Sequence, residues 1–234
     1  MLAALRDFRD QRPIKAISSF SRTPREERRK GVATTNLRIR PQISVRDRIF
    51  VAGKHLFFLL GFENTNIEAI YREADTNEQE FSNYFGSKED LLQAIFEDAW
   101  SSLLVPTHGL QMASSPKTRL KNLARSIIAL FRRDSELRDL LLFEGRRVRR
   151  GEMMLFTPSY TDLMALIDSY LQSALKDDSK NLEIHLLRSA LTGAIEGLLR
   201  DLALHERFGY PVNYSAEKAE QFAADLVDRL LPAG

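Results

Sequence analysis

Gln79 carries an amide that can hold an adenine edge, and Glu78 a carboxylate that can accept from the amino group of cytosine. Both lie in the run Asn77-Glu78-Gln79-Glu80-Phe81-Ser82-Asn83-Tyr84-Phe85, where Phe81, Tyr84 and Phe85 recur at helical spacing. That spacing predicts a solvent-facing helix whose outward side chains meet base edges. A second short helix precedes it, with Ile67, Ile70 and Ala74 facing inward, and Asp75 and Thr76 form the turn between the two. Two short helices joined by a tight turn make a helix-turn-helix, which points to DNA rather than to a catalytic centre.

The flanking elements must hold that pair in place, and their starts are marked by side-chain caps. Ser44 with Asp47 opens a first helix through Val45, Ile49, Ala52, Leu56 and Leu59, which Gly61 ends. Thr65 with Glu68 makes a capping box for the second helix, Asn77 with Glu80 caps the third, and Ser87 with Asp90 caps a long fourth. Pro106 breaks or kinks that fourth helix. A fifth runs from Pro116 to Arg133, a sixth from Ser135 to Arg150 and a seventh from Pro158. A long eighth spans Leu182 to Phe208, interrupted by Gly193 and Gly197, and Ala216 to Leu231 closes the chain. No strand pattern or internal repeat stands out, so the expected fold is all-α. The expected division is a basic, disordered arm over residues 1–43, a helix-turn-helix domain over 44–90, and a larger helical domain over 91–234.

Charge is distributed unevenly among these parts. Residues 1–43 hold 11 Lys/Arg against 4 Asp/Glu, a net of +7, while residues 44–98 hold 5 against 11, a net of −6. The arm thus reads either as a plain solubilising leader or as a supplier of cations to a neighbouring minor groove. The absence of cysteine excludes disulfides and thiolate metal sites. His55, His108, His185 and His205 are scattered, so no metal site is expected. No phosphate loop, nucleophile elbow or HExxH motif is present, and nothing calls for a cofactor or for an enzyme. The longest apolar run, Leu56 to Leu60, is too short to span a bilayer, and no secretory signal is visible, so a cytoplasmic protein without membrane contact is expected.

The first helix ending at Gly61, Thr65 with Ile67 and Ile70, Ala74 before the turn, and Tyr84-Phe85 with Ser87-Lys88-Glu89-Asp90-Leu91-Leu92 resemble the TetR family of transcriptional regulators. The resemblance implies that the first three helices bind a double-stranded operator and the remaining six form a ligand-binding core. It further implies that the last two helices form a homodimer, in which Gly193 and Gly197 allow close approach. Phosphate contacts are implied at Thr65, Tyr84 and Lys88. With Arg46 and the outward side chains Asn77, Glu78, Gln79, Ser82 and Asn83, these make up the expected DNA-binding set. Departures fall at the turn, where Asp75 replaces the usual glycine and Thr76 an apolar residue. On the third helix Gln79-Glu80 and Phe81-Ser82 stand where the family typically has Gly-Thr and Leu-Tyr or Phe-Tyr. Each phosphate neutralised by Lys or Arg steepens the salt dependence by about 0.9, and only Arg46, Arg48, Lys54, Arg72 and Lys88 serve the module.

Trp100, Phe131, Phe143, Phe156, Tyr160, Met164 and Tyr170 can line an apolar pocket for a small-molecule effector, or simply pack the core. Arg146-Arg147-Val148-Arg149-Arg150 has two readings. It is either a solvated helix end favoured by the macrodipole, or an anchor, centred on Arg147, for an anionic ligand such as an acyl-CoA phosphate or a carboxylate. Gly151 to Thr157 reads as a mobile lid. Two functions remain open: a ligand-controlled regulator, most often a repressor in this family, or a regulator-like dimer that has lost operator reading. Asp75, Glu78, Glu80 and Ser82 motivate the second.

Overall fold

The computed structural model describes residues 43–104, 115–146, 148–149, 152–153, 155–175 and 181–231. The arm, Pro106, His108 and Arg147 therefore lie outside the described residues. Nine helices appear among those described, with one very short hairpin, so the fold is all-α as expected.

Helix α1 (Val45–Leu60) starts where the Ser44 hydroxyl accepts from the Asp47 N–H at 3.1 Å, and ends at Gly61 with φ of 78°. Its inner face is Ile49, Ala52, Gly53 and Phe57, so the stripe expected to end at Leu59 ends two positions earlier. Leu59 is left 57% exposed, because a period of 3.6 carries the buried row from 49 and 53 to 57. Gly53 is where α1 meets α4 (Lys88–Leu104); a Cβ there would lie 2.3 Å from a Leu91 methyl.

Helices α2 (Ile67–Glu73) and α3 (Glu78–Ser82) both pack on α1, burying Ile70 and Phe81. Phe81 meets the rings of Tyr71 and Phe85 at centroid separations of 5.3 and 5.7 Å. Fully burying a side chain of this size stabilises by about 1.5–3 kcal/mol, which such short helices need because they cannot persist alone.

Beyond position 90, α4 continues unbroken. Leu91 and Leu92 sit in the same turn as the contact to Gly53, and Ala99, Trp100 and Leu103 are buried further along. The larger assembly adds α5 (Pro116–Arg133), α6 (Ser135–Phe143), α7 (Pro158–Leu175), α8 (Asn181–Phe208) and α9 (Ala216–Leu230). Helix α5 lies against α9 and α7, α7 against α4 and α8, and α6 against α1, α5 and α8.

The sixth helix is shorter than the expected Ser135–Arg150. It stops at Phe143, where the Glu144 and Gly145 N–H groups both return to the Leu140 carbonyl. Strands β1 (Val148–Arg149) and β2 (Glu152–Met153) then pair antiparallel, and Leu155 N–H reaches the Gly145 carbonyl at 3.1 Å. Gly145 is a poor helix residue, and Arg150-Gly151 leaves only two residues between the strands, a hairpin spacing. Among the described residues no helix is long and apolar enough to cross a membrane.

Candidate nucleic-acid interface and effector cavity

Asn77 caps α3 as expected, its side-chain oxygen accepting from Glu80 N–H at 3.0 Å. Glu78, Gln79, Ser82, Asn83 and Tyr84 are exposed beside it, so α3 and the turn after it offer one polar face. Tyr84 is 49% exposed while Phe81 and Phe85 point inward, which separates the outward aromatic ring from the core ones. Asp75 takes the left-handed backbone that the turn requires, with φ of 50°. Arg48 reaches across from α1 to secure this turn, donating from Nε to the Ala74 carbonyl at 2.9 Å and from a terminal nitrogen to the Asp75 carbonyl at 3.1 Å. The field at this face is negative: burial first, then the carboxylates of Glu78 and Glu68, pushes the Tyr71 hydroxyl up from its ordinary pKa.

Two expected phosphate contacts are occupied within the fold. Thr65 is not the cap of α2. That role belongs to Asn66, whose side chain accepts from Glu68 N–H at 3.0 Å. Thr65 is 2% exposed, and its hydroxyl approaches the Gly61 carbonyl at 2.8 Å and the Leu56 carbonyl at 3.2 Å. The Lys88 ammonium likewise turns inward, to the carbonyls of Phe62 (2.8 Å), Thr65 (3.1 Å) and Glu63 (3.4 Å), and lies 4.6 Å from the Phe62 ring centroid. An ammonium has three donors, and here all of them are spent. Lys54 pairs with Asp134 at 2.5 Å. Of the module's five cations, Arg46 and Arg72 remain on the exposed surface. Arg46 stands 3.9 Å from Asp47, and 5.8 and 5.7 Å from the Phe50 and Phe85 ring centroids, near the outer limit of a cation–π contact.

On the far side of α4, an apolar cavity of about 90 Å³ is lined by Trp100, Phe131, Tyr160, Met164 and several aliphatic side chains. Four of the expected ligand residues therefore gather at one place. Phe156 stacks on Tyr160 at 5.2 Å but is itself mostly exposed. Phe143 does not join the wall: it is exposed on a different cleft, of about 250 Å³, beside Arg207 at 5.7 Å from its ring centroid. Tyr170 is buried elsewhere, with Arg119 at 5.9 Å. Residues not expected from the sequence complete the wall, notably Leu141 and Leu142 of α6 and Ile195 and Leu199 of α8. Helix α8 is apolar around much of its circumference, and that breadth was the available sign that it contributes to the cavity wall.

At the cavity rim Arg146 pairs with Glu196, which also binds Arg200. Trp100 is 5% exposed, and its indole N–H has no hydrogen-bond partner among the described residues. Burial, opposed by Arg188 and supported by Glu196, pushes the Tyr160 hydroxyl up, so it stays protonated near neutral pH. Among the described residues no group of three metal-ligating side chains converges.

Helix α6 connects the two regions. Lys54–Asp134 and His55–Glu136, the latter at 2.7 Å, tie its first turn to α1. Its last turn supplies Leu141 and Leu142 to the cavity. Between them Arg138 and Asp139 are buried; Arg138 also binds Glu206 at 2.7 Å, and Asp139 binds Arg207 at 3.2 Å. Arg207 in turn lies 5.2 Å from the Phe58 ring centroid of α1.

The outer side of α8 presents Leu186, and Gly193 and Gly197 have open space where a Cβ would stand. Phe222 of α9 is also exposed.

Residues 49–95 match the family described as bacterial regulatory proteins, tetR family. No curated protein sequence matches the chain. Among solved structures it is similar to the fatty acid degradation regulator FadR from Bacillus halodurans, at 16% identity and a TM-score of 0.66 over 78% of this chain and 94% of that one. The transcriptional regulator FadR from Bacillus subtilis, in complex with stearoyl-CoA, gives 16% identity and a TM-score of 0.66 over 77% and 96%. A TetR-like transcriptional regulator from Rhodococcus sp. RHA1 gives 20% identity and a TM-score of 0.60 over 83% and 99%. Likeness at this identity concerns the fold.

Proposed function

We propose, from the premise that this chain is a TetR-family regulator by its helix-turn-helix, that it is a homodimeric, DNA-binding repressor released by an apolar or acyl ligand. Residues 44–90 read the operator, residues 91–234 bind the effector and dimerise through α8 and α9, and the protein works in the cytoplasm. Arg46, Asn77, Glu78, Gln79, Ser82, Asn83 and Tyr84 form the reading face, with Gln79 suited to adenine and Glu78 to cytosine. Two such faces in a dimer would enter successive major grooves roughly 34–36 Å apart.

The observation that carries this reading is the double duty of α6, which is ion-paired to α1 at one end and forms cavity wall at the other. At about 90 Å³ the cavity is smaller than the roughly 150 Å³ space that admits benzene. A longer acyl chain must push Leu141, Leu142 and Met164 apart, and so binds only a state in which α6 has moved. Such a ligand has the differential affinity that any control of DNA binding requires. The FadR neighbour carrying stearoyl-CoA supports an acyl effector by analogy of fold.

Fluorescence anisotropy against the DNA flanking its own gene, at two salt concentrations and with or without octanoyl-coenzyme A, tests the proposal. Tight, salt-sensitive binding that octanoyl-coenzyme A weakens is expected. A second reading, a dimer that senses ligand without reading an operator, is favoured by the acidic face and by the inward commitment of Arg48 and Lys88. It predicts no DNA binding even at low salt.

A further inference from the structure

We propose that the Trp100 indole N–H is the polar anchor of the effector site, donating to the carbonyl oxygen of an acyl ligand in the cavity. The inference rests on the effector reading of that cavity and adds to it the donor atom and the chemical group it takes.

Trp100 is almost wholly buried, lines the cavity, and has an N–H without a hydrogen-bond partner among the described residues. Its ring packs steeply inclined against both Phe131 and Tyr160, at 5.6 and 5.4 Å with interplanar angles of 67° and 65°, which holds it within the core. A buried donor left this way is costly to the empty protein, and the cost is recovered when an acceptor arrives.

Thr192 and Glu196 of the wall are already engaged. The Thr192 hydroxyl donates to the Arg188 carbonyl at 2.9 Å, and Glu196 is shared between Arg146 and Arg200. Indole nitrogen donates and cannot accept, so the group it selects must be an acceptor. A hydrocarbon would leave it unsatisfied, and an ammonium would oppose it. An aliphatic chain ending in a carbonyl suits both the apolar wall and this donor. Arg146 at the rim suits the negative charge that follows that carbonyl, whether the carboxylate of a free acid or the phosphates of a coenzyme A thioester.

The chain has one tryptophan, so an ¹⁵N-labelled sample of the full chain shows one indole N–H resonance, and it reports on this atom alone. The probes are octanoate, octanoyl-coenzyme A and, as a chain-matched compound without an acceptor, octylammonium. Octanoate or octanoyl-coenzyme A should move the resonance downfield, and octylammonium should not. Which of the first two acts identifies the source of the carbonyl. Trp100→Phe should bind the active probe about tenfold more weakly, the worth of one hydrogen bond.

Calorimetric binding of either acyl probe with the indole resonance unmoved and full affinity in Trp100→Phe would overturn the anchor and leave the effector reading intact. An upfield indole resonance that no probe moves would also overturn it, by placing the N–H on an aromatic face. If neither acyl probe binds at all, the acyl reading of the cavity fails and the anchor fails with it. Should Trp100→Phe not fold, the titration of the unaltered chain decides alone.

Discussion

In the helix-turn-helix, Arg48 and Lys88 turn donors to backbone carbonyls; in the cavity, Trp100 keeps a buried N–H with no partner among the described residues. The two regions use polar groups in opposite ways. A cation bonded to the carbonyls of Ala74 and Asp75 ties the turn before a five-residue helix to α1, and keeps fewer donors for a phosphate. A donor left unsatisfied weakens the empty core, but contributes in full once an acceptor enters. Geometry at the proposed reading face is therefore secured at the expense of charge, and the proposed selectivity of the cavity at the expense of stability.

The strongest way to break this comparison is to remove the packing under the reading face alone. Phe81 is buried between Tyr71 and Phe85, and Phe81→Ala should cost about 3–5 kcal/mol, measured by urea denaturation. DNA binding should disappear, while the affinity for octanoyl-coenzyme A stays within a few fold. Loss of both together would show that the two regions form one cooperative unit.

Next in size is the arm. With three of the module's five cations engaged inside the fold, the 11 Lys/Arg of residues 1–43 are the largest remaining source of positive charge near it in sequence. Deleting residues 1–43 should lower DNA affinity by about a hundredfold at low salt and flatten the slope of log K against log salt. Unchanged affinity and slope would mean that Arg46 and Arg72 suffice.

The same contrast explains what could be read from the chain. Ser44, Asn77 and Ser87 bond N–H groups three residues on, so spacing alone reveals them as caps. Thr65 has the right type and spacing, yet its hydroxyl reaches back nine residues to Leu56, a contact that only the packed chain creates, and the cap passes to Asn66. Lys88 was legible as a cation at a helix start and not as a clamp, because its partners lie 23 to 26 residues away. Large apolar character pointed to Trp100, Phe131, Tyr160 and Met164 together. Phe143 and Tyr170 have the same character and face elsewhere, since a helical wheel does not state which neighbour a face will meet. Leu141, Leu142, Ile195 and Leu199 look like any other core residues until α6 and α8 are placed side by side.

Lys88 offers a sharper test of its own. Lys88→Met keeps most of the apolar stem and removes the ammonium from three carbonyls, which should destabilise the protein by about 1–3 kcal/mol. The salt dependence of DNA binding should not change. A direct phosphate contact predicts the reverse pattern, with the slope reduced by about 0.9 and little effect on stability.

The smallest effect concerns the cavity side and its dependence on pH. Glu97 of α4 closes the start of α7, accepting from the Ser159 N–H at 3.0 Å and the Ser159 hydroxyl at 2.6 Å. Burial pushes this carboxyl up, but the hydrogen bonds from Ser159 and Thr157 outweigh it and hold the group below its ordinary pKa. A carboxylate depressed in the folded state stabilises above its unfolded pKa, and the contribution is lost as pH falls through the folded value. Glu97→Gln should therefore cost about 1 kcal/mol at neutral pH, and the difference from the unaltered chain should shrink on acidification below the ordinary carboxylate range. Because α7 carries Tyr160, Leu163 and Met164, the loss should appear in octanoyl-coenzyme A affinity before it appears in DNA affinity. Urea midpoints measured from neutral to acidic pH decide the point: a gap of constant size down to the acid limit would assign the effect to side-chain packing and not to the charge on Glu97.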